Sequence, residues 1–174
     1  MEQTLEICRW VYNETLAMRK NAWEREQRSI SYYESKRQIP IWKKERPELS
    51  TVHSQVLQDV SLRVDLAFKA FFRRLKTEKE PGYPRFKGKG RYDSFTYPQS
   101  GFKLDGDRLH LSKIGDVKII LHRPIEGTIK TCTVSRSSTG KWYACFSVEY
   151  DPPPASQKEM VIGVDVGLES FATL

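Results

Sequence analysis

One carboxylate carries the sharpest chemical signal in the sequence. In "VIGVDVGLESFATL", a continuous apolar run enters Asp165, which sits in a glycine-flanked "GVDVG". Such a run suits a strand buried on both faces. A carboxylate on that strand is a hard oxygen ligand for a divalent cation. With partner carboxylates, metal ions held there activate water against a phosphodiester. Taken alone, the pentapeptide is a weak signal and reads more readily as a turn, because aspartate beside glycine is ordinary turn chemistry.

A second candidate is the stretch "YPRFKGKGRYDSFTYP". Lys87, Lys89 and Arg91 alternate with glycines that let a backbone come close to a phosphate chain. Tyr83, Phe86, Tyr92, Phe95 and Tyr97 supply rings able to stack on unpaired bases. Around this stretch, Arg63 to Arg91 holds ten Lys or Arg against Asp65, Glu78 and Glu80. Arg73, Arg74, Lys76 and Arg85 complete the set expected to meet a nucleic-acid backbone. The plainer reading is a lysine-rich loop beside a β-core, and the aromatics of "SFTY" are expected to be partly core.

Ser54, Gln58 and Ser61 form a third group. At i, i+4 and i+7 they share one face of a helix, either as a solvated flank or as amide and hydroxyl groups offered to base edges. Cys8, Cys132 and Cys145 have no CxxC spacing and no histidine at a zinc-ligand interval, so no metal ribbon is encoded. Cys132 and Cys145 could face each other across a hairpin. His53, His110 and His122 are isolated and read as surface or packing residues.

These groups need elements to hold them. Residues 3–28 carry the three- and four-residue apolar spacing of a helix. Residues 29–50, with two prolines and mixed polarity, suggest a loop with room for one short helix. A second long helix is expected after Ser50 or Thr51 as N-cap, with Leu57, Val60, Val64, Phe68, Phe71 and Leu75 as its apolar stripe. Prolines and glycines across 77–92 break helical structure. Short strands follow in "SFTY", "GFKL", "RLHL", "VKIIL", "TIKTCTVSR" and "KWYACFSVEY", with "SSTG" as a hairpin loop. Strands in series without helices between them predict a compact antiparallel barrel or sandwich. "DPPPASQKE" is a proline-stiffened linker.

Bulk composition agrees with a folded chain that meets a polyanion. Of 174 residues, 39% are hydrophobic and 29% charged, with a formal net charge of +7 and a pI near 9.3. No run approaches the roughly 18 apolar residues of a membrane span. The N-terminus lacks a signal-peptide pattern, so no membrane association and a cytoplasmic location are expected.

In consistent order, "WVYNETLAMRK", "VHSQVLQDV…AFKAFFRR", "YPRFKGKGRYDSFTYP", "LHLSKIGDVKIILHRP", "STGKWYACFSVE" and "IGVDVGLESFATL" resemble the TnpB proteins. That family comprises OrfB-type insertion-sequence transposases, RNA-guided RuvC nucleases related to type V CRISPR effectors. The resemblance covers essentially the whole chain. It implies an α+β protein: a helical recognition lobe at 1–76 and a small antiparallel, OB-like wedge barrel at 77–152. A proline-rich linker at 153–159 and the first strand of an RNase H-like RuvC domain at 160–174 would follow. Asp165 matches the family's first catalytic aspartate, a ligand for Mg2+. Guide RNA and DNA are the implied partners, with pairing to the guide supplying most of the specificity. Ser54, Gln58 and Ser61 sit where residues reading a short motif beside the target are expected.

Family members begin with a barrel strand ahead of the first helix and continue to further RuvC carboxylates and a zinc ribbon, neither of which this sequence contains. The expectation is a truncated chain that binds nucleic acid, holds no metal tightly and does not cleave alone, with a nuclease half supplied in trans as one route to activity. A catalytically dead RNA- or DNA-binding module, a decayed transposon remnant, and an unrelated basic β-barrel are the competing readings.

Overall fold

A computed structural model of the chain describes residues 1–77 and 81–151. Three helices come first: α1 (Glu2–Glu26), α2 (Tyr32–Glu45) and, after a 3-10 turn at Pro47–Thr51, α3 (Ser54–Leu75). Six strands follow: β1 (Ser94–Tyr97), β2 (Phe102–Asp105), β3 (Arg108–Leu111), β4 (Gly115–Lys118), β5 (Thr128–Arg136) and β6 (Trp142–Glu149). The protein is therefore of the α+β class.

α1 forms where the apolar spacing predicts it, burying Leu5, Cys8, Tyr12, Thr15 and Leu16 on one stripe. α3 buries Leu57, Val60, Val64 and Phe68 of its expected stripe, while Phe71 is half-buried and Leu75 is exposed. The N-cap expectation is corrected. Pro47 opens the 3-10 turn that absorbs Ser50 and Thr51, and α3 starts at Ser54 with His53 as a cap that makes no side-chain hydrogen bond.

Residues 29–50, expected as a loop with room for one short helix, do hold a helix, and the 14-residue α2 takes up most of the stretch. Ser31 and Glu34 form a capping box: Ser31 Oγ accepts from the Glu34 N–H at 3.2 Å, and Glu34 Oε2 accepts from the Ser31 N–H at 2.9 Å. Pro40 lies inside this helix, where it removes one backbone donor. Packing compensates. Ile39 is buried, and Trp42 meets Trp10 of α1 edge-on at 5.7 Å, an arrangement favoured between aromatic rings.

The strands form two antiparallel sheets, ordered β1-β5-β6 and β2-β3-β4. No ladder joins the two sheets among the described residues, so hydrogen bonding does not close a barrel. Side chains join them instead: Phe95, Tyr97 and Val134 from one sheet share a core with Leu109 and Leu111 from the other. The Tyr97 hydroxyl donates to the Ser112 carbonyl at 2.9 Å. That core continues into Leu5, Val11, Leu16, Val56 and Val60 of the helices.

The β5–β6 register settles the cysteines. Cys132 lies opposite Phe146 and Cys145 opposite Thr133. Adjacent strand positions point to opposite faces, so Cys132 is buried and Cys145 exposed. The two do not face each other. The strand expected from 160, with Asp165 on it, and the expected linker at 153–159 lie outside the described residues.

Candidate nucleic-acid interface

Position along α3 sorts the basic run from Arg63 to Arg91. Arg63 points at the β-sheet. Its guanidinium donates to Asp59 Oδ2 at 2.9 Å, to the Ser94 carbonyl at 2.9 Å and to Thr96 Oγ1 at 2.7 Å. Thr96 is linked in turn to Thr133 across the β1–β5 ladder at 2.8 Å. Arg63 therefore fastens helix to sheet and is not available to a phosphate chain. Lys69 pairs with Asp65 at 2.9 Å, as does Arg19 of α1, whose guanidinium also lies over the Phe68 ring at 4.5 Å. Burial pushes the Asp65 carboxyl up, but the hydrogen bonds from Lys69 and Arg19 outweigh it and hold the group below its ordinary value.

From Arg73 to Arg91 the described cations are free of carboxylate partners, although Lys87 Nζ lies 5.9 Å from the Tyr12 ring. Arg73, Arg74, Lys76, Arg85, Lys87, Lys89 and Arg91 are all exposed. Among the described residues none of the seven pairs with a carboxylate; Arg74 donates to the Gly82 carbonyl at 3.4 Å. These are the cations singled out from the sequence, and they line the end of α3 and the linker after it. The rings divide differently. Tyr83 and Phe86 are exposed beside them, whereas Tyr92, Phe95 and Tyr97 are buried in the core. Only the first two are accessible to a base.

The linker is not loose. Asn13 of α1 accepts the Lys87 N–H on Oδ1 at 2.8 Å and donates Nδ2–H to the Lys87 carbonyl at 3.0 Å. Arg9 donates to the same carbonyl at 3.1 Å. No spacing in the sequence signals this contact, because the partners lie 74 and 78 positions apart.

The polar face expected at the start of α3 comes apart. Ser61 is fully buried, 3.4 Å from Thr15 Oγ1 in the α1–α3 seam, so it packs helices and cannot reach a base edge. Ser54 is exposed and accepts from Lys43 Nζ at 2.9 Å, and Gln58 is half-buried one turn later. Burial, then the charge of Lys113, lowers the Lys43 pKa; burial, then Lys43 and Lys113, does the same to His53. Lys43 and Lys113 thus add positive potential beside Ser54, which the spacing of α3 alone could not reveal.

Among the described residues no cluster of His, Cys, Asp or Glu could hold a metal ion, and no helix is long and apolar enough to cross a membrane.

Comparison with known proteins adds an independent line. The family model HTH_OrfB_IS605, described as a helix-turn-helix domain, matches residues 1–28, which here are Met1, α1 and the two residues that follow it. The "Putative RNA-guided DNA endonuclease InsQ" of Escherichia coli K12 is 35% identical over 172 residues, covering 96% of this chain and 41% of the relative. The chain belongs to the TnpB family. A Streptomyces pristinaespiralis member with the same description, without the InsQ name, is 34% identical and covers 100% of this chain and 44% of its own length. The chain thus spans less than half of the TnpB relatives it matches.

Proposed function

We propose that this chain is the nucleic-acid-holding part of an RNA-guided DNA endonuclease of an insertion sequence, binding guide RNA and target DNA. The carrying observation is the row of seven exposed cations, from Arg73 to Arg91, that pair with no described carboxylate. Both relatives described above bear the name "Putative RNA-guided DNA endonuclease", which supports the same reading.

In this reading residues 1–76 serve as a recognition lobe, 77–152 as an OB-like wedge barrel and 153–159 as a linker to a RuvC segment at 160–174. Ser54 and Gln58, beside Lys43, face the motif next to the DNA target. Asp165 is one ligand of a divalent-metal site. One carboxylate does not hold two hard divalent ions in the geometry of in-line cleavage. Cleavage therefore needs ligands besides Asp165, and the proposal for this chain is confined to holding nucleic acid.

The test is binding of the purified chain to RNA transcribed from its own transposon end, against an unrelated RNA, across a salt series. Phosphate contacts release counterions, so affinity falls as salt rises; seven contacts to a single strand give a log–log slope of about −5 at most. Preference for the cognate RNA that survives about 0.2 M salt is the expected result. Affinity that ignores salt, or that is unchanged when Arg85, Lys87, Lys89 and Arg91 are replaced by alanine, would overturn the reading.

A further inference from the structure

The linker at 81–93 carries four of the seven free cations and lies outside the strand ladders, with only its last carbonyl, that of Asp93, accepting from a strand, the Arg136 N–H of β5 at 2.7 Å. Such a segment would ordinarily be free to sample many shapes. Here it is fixed at three points within six residues. At Lys87, the Asn13 carboxamide satisfies both the N–H and the carbonyl, as a neighbouring strand would. Arg9 adds a third bond to that carbonyl and is itself steadied by the Glu6 carboxylate at 3.0 and 3.1 Å. One residue on, the Arg91 N–H donates to the Gly88 carbonyl at 3.0 Å, closing a turn with Gly90 at φ 71°, a conformation that favours glycine. At the far end the Tyr92 ring is buried 5.9 Å from Tyr12, while the side chains of Arg85, Lys87, Lys89 and Arg91 remain exposed.

We propose that Asn13, seconded by Arg9, is a positioning residue that presets the Arg85–Arg91 linker in the shape in which its cations meet a phosphate chain. The proposal rests on the nucleic-acid reading above and adds to it a residue that touches no ligand itself. Its physical basis is preorganisation. A segment already ordered in the free protein loses less conformational freedom on binding, so the same contacts give tighter binding. Glu6 lies close enough to lower the linker's positive field near Lys89, and its pairing with Arg9 offsets that effect.

The experiment compares wild type with Asn13→Ala on the full chain, using a single-stranded RNA probe over a salt series, thermal unfolding, and NMR hydrogen exchange of the Lys87 amide. The expected result is about tenfold weaker RNA binding with the salt slope unchanged, because every cation is still present. Lys89→Ala, by contrast, lowers the slope by about 0.7. The Lys87 amide should exchange faster in Asn13→Ala while the melting temperature stays near that of wild type.

A second-site rescue separates positioning from mere structure. Gly88 has only the Arg91 side chain near a prospective Cβ, at 3.8 Å. Gly88→Ala should therefore stiffen the linker and recover part of the affinity lost in Asn13→Ala, measured against Gly88→Ala alone. Should Asn13→Ala fail to fold, Arg9→Gln on the outer side of α1 must show a smaller loss in the same direction. Wild-type RNA binding with Asn13→Ala within twofold of it, or an unchanged Lys87 amide, overturns the proposal alone. Absence of RNA binding by the wild type overturns the functional reading with it, and the amide exchange still reports whether the clamp exists.

Discussion

Replacing Arg63 by methionine should cost stability and leave nucleic-acid contacts alone. Methionine keeps much of the aliphatic stem's packing and removes every hydrogen bond from the guanidinium to Asp59, Ser94 and Thr96. Breaking a fully buried pair costs about 3–5 kcal/mol. Here the side chains of Arg63 and Asp59 retain 27% and 14% exposure, so water replaces part of the loss. The expected cost is about 2–3 kcal/mol, or a fall in melting temperature of about 5–10 °C at this chain length. Burial raises the Asp59 pKa and Arg63 opposes it, so the variant's Asp59 pKa rises further. A carboxyl whose folded pKa exceeds its unfolded value binds more protons when folded, so stability falls as pH rises through that interval. The deficit of Arg63→Met should thus be smallest in acid and complete above the raised pKa. Urea unfolding at several pH values measures it, and Asp59→Asn in the same chain should recover part of the loss. A cost under about 0.5 kcal/mol at pH 7, or a double variant no more stable than Arg63→Met, would refute the assignment of Arg63 to the fold.

Asp65→Asn should flatten the acid limb of the stability curve. The Asp65 carboxyl is held below its ordinary pKa, so its contribution is present above the ordinary value and lost as pH falls through the lowered one; melting temperatures from neutral to strongly acid pH check this. Cys145 is exposed, whereas burial pushes the Cys8 and Cys132 thiols up to about 12. A thiol reagent should therefore react quickly with one cysteine in the native chain and with all three after denaturation, and mild oxidation should not link Cys132 to Cys145. Gln58→Ala should alter affinity for duplex DNA, whereas Ser61→Ala should leave it unchanged and cost under about 1 kcal/mol, measured by gel shift and urea unfolding.

What the sequence disclosed depended on how local the cause was. The stripe from Leu57 to Phe68 and five of the six strand segments follow periods set by the backbone, so their positions are readable within a window; the exception is "VKIIL", where the strand is Gly115–Lys118 and the apolar Ile120 and Leu121 lie beyond it, exposed. The length of α2 was not legible because Pro40 argues against a long helix, and its compensation, the Trp10–Trp42 contact, spans 32 positions. The capping residues Ser31 and Glu34 were the available local clue. Ser61 shows the opposite failure: its spacing from Ser54 and Gln58 is right for one face, but only the placement of α1 shows that the face turns inward at that turn. Charge was legible as a count and illegible as a role, since a cation's partner is a tertiary fact. The Asn13–Lys87 clamp lies at that limit.

The free cations owe their freedom to where the core ends. α3 lies fully against the core at Val60 and Val64, and Phe68 is still 7% exposed; by Phe72 and Leu75 the helix has run past it, with 54% and 53% exposure. Ion pairs accompany the embedded part, Asp59 with Arg63 and Asp65 with Arg19 of α1, because a charge near an apolar core must be paired; Lys69, largely exposed, joins Asp65 from the solvent side. Past the core that requirement lapses, and Arg73 and Arg74 project with no described acid beside them. One helix therefore carries two kinds of basic residue, divided between Lys69 and Arg73. Charge reversal should report the division directly: Arg63→Glu should unfold the chain by setting a second carboxylate against Asp59, whereas Arg73→Glu should leave the fold intact and weaken RNA binding. Loss of stability at both positions would mean that the end of α3 is packed and that the proposed interface lies elsewhere.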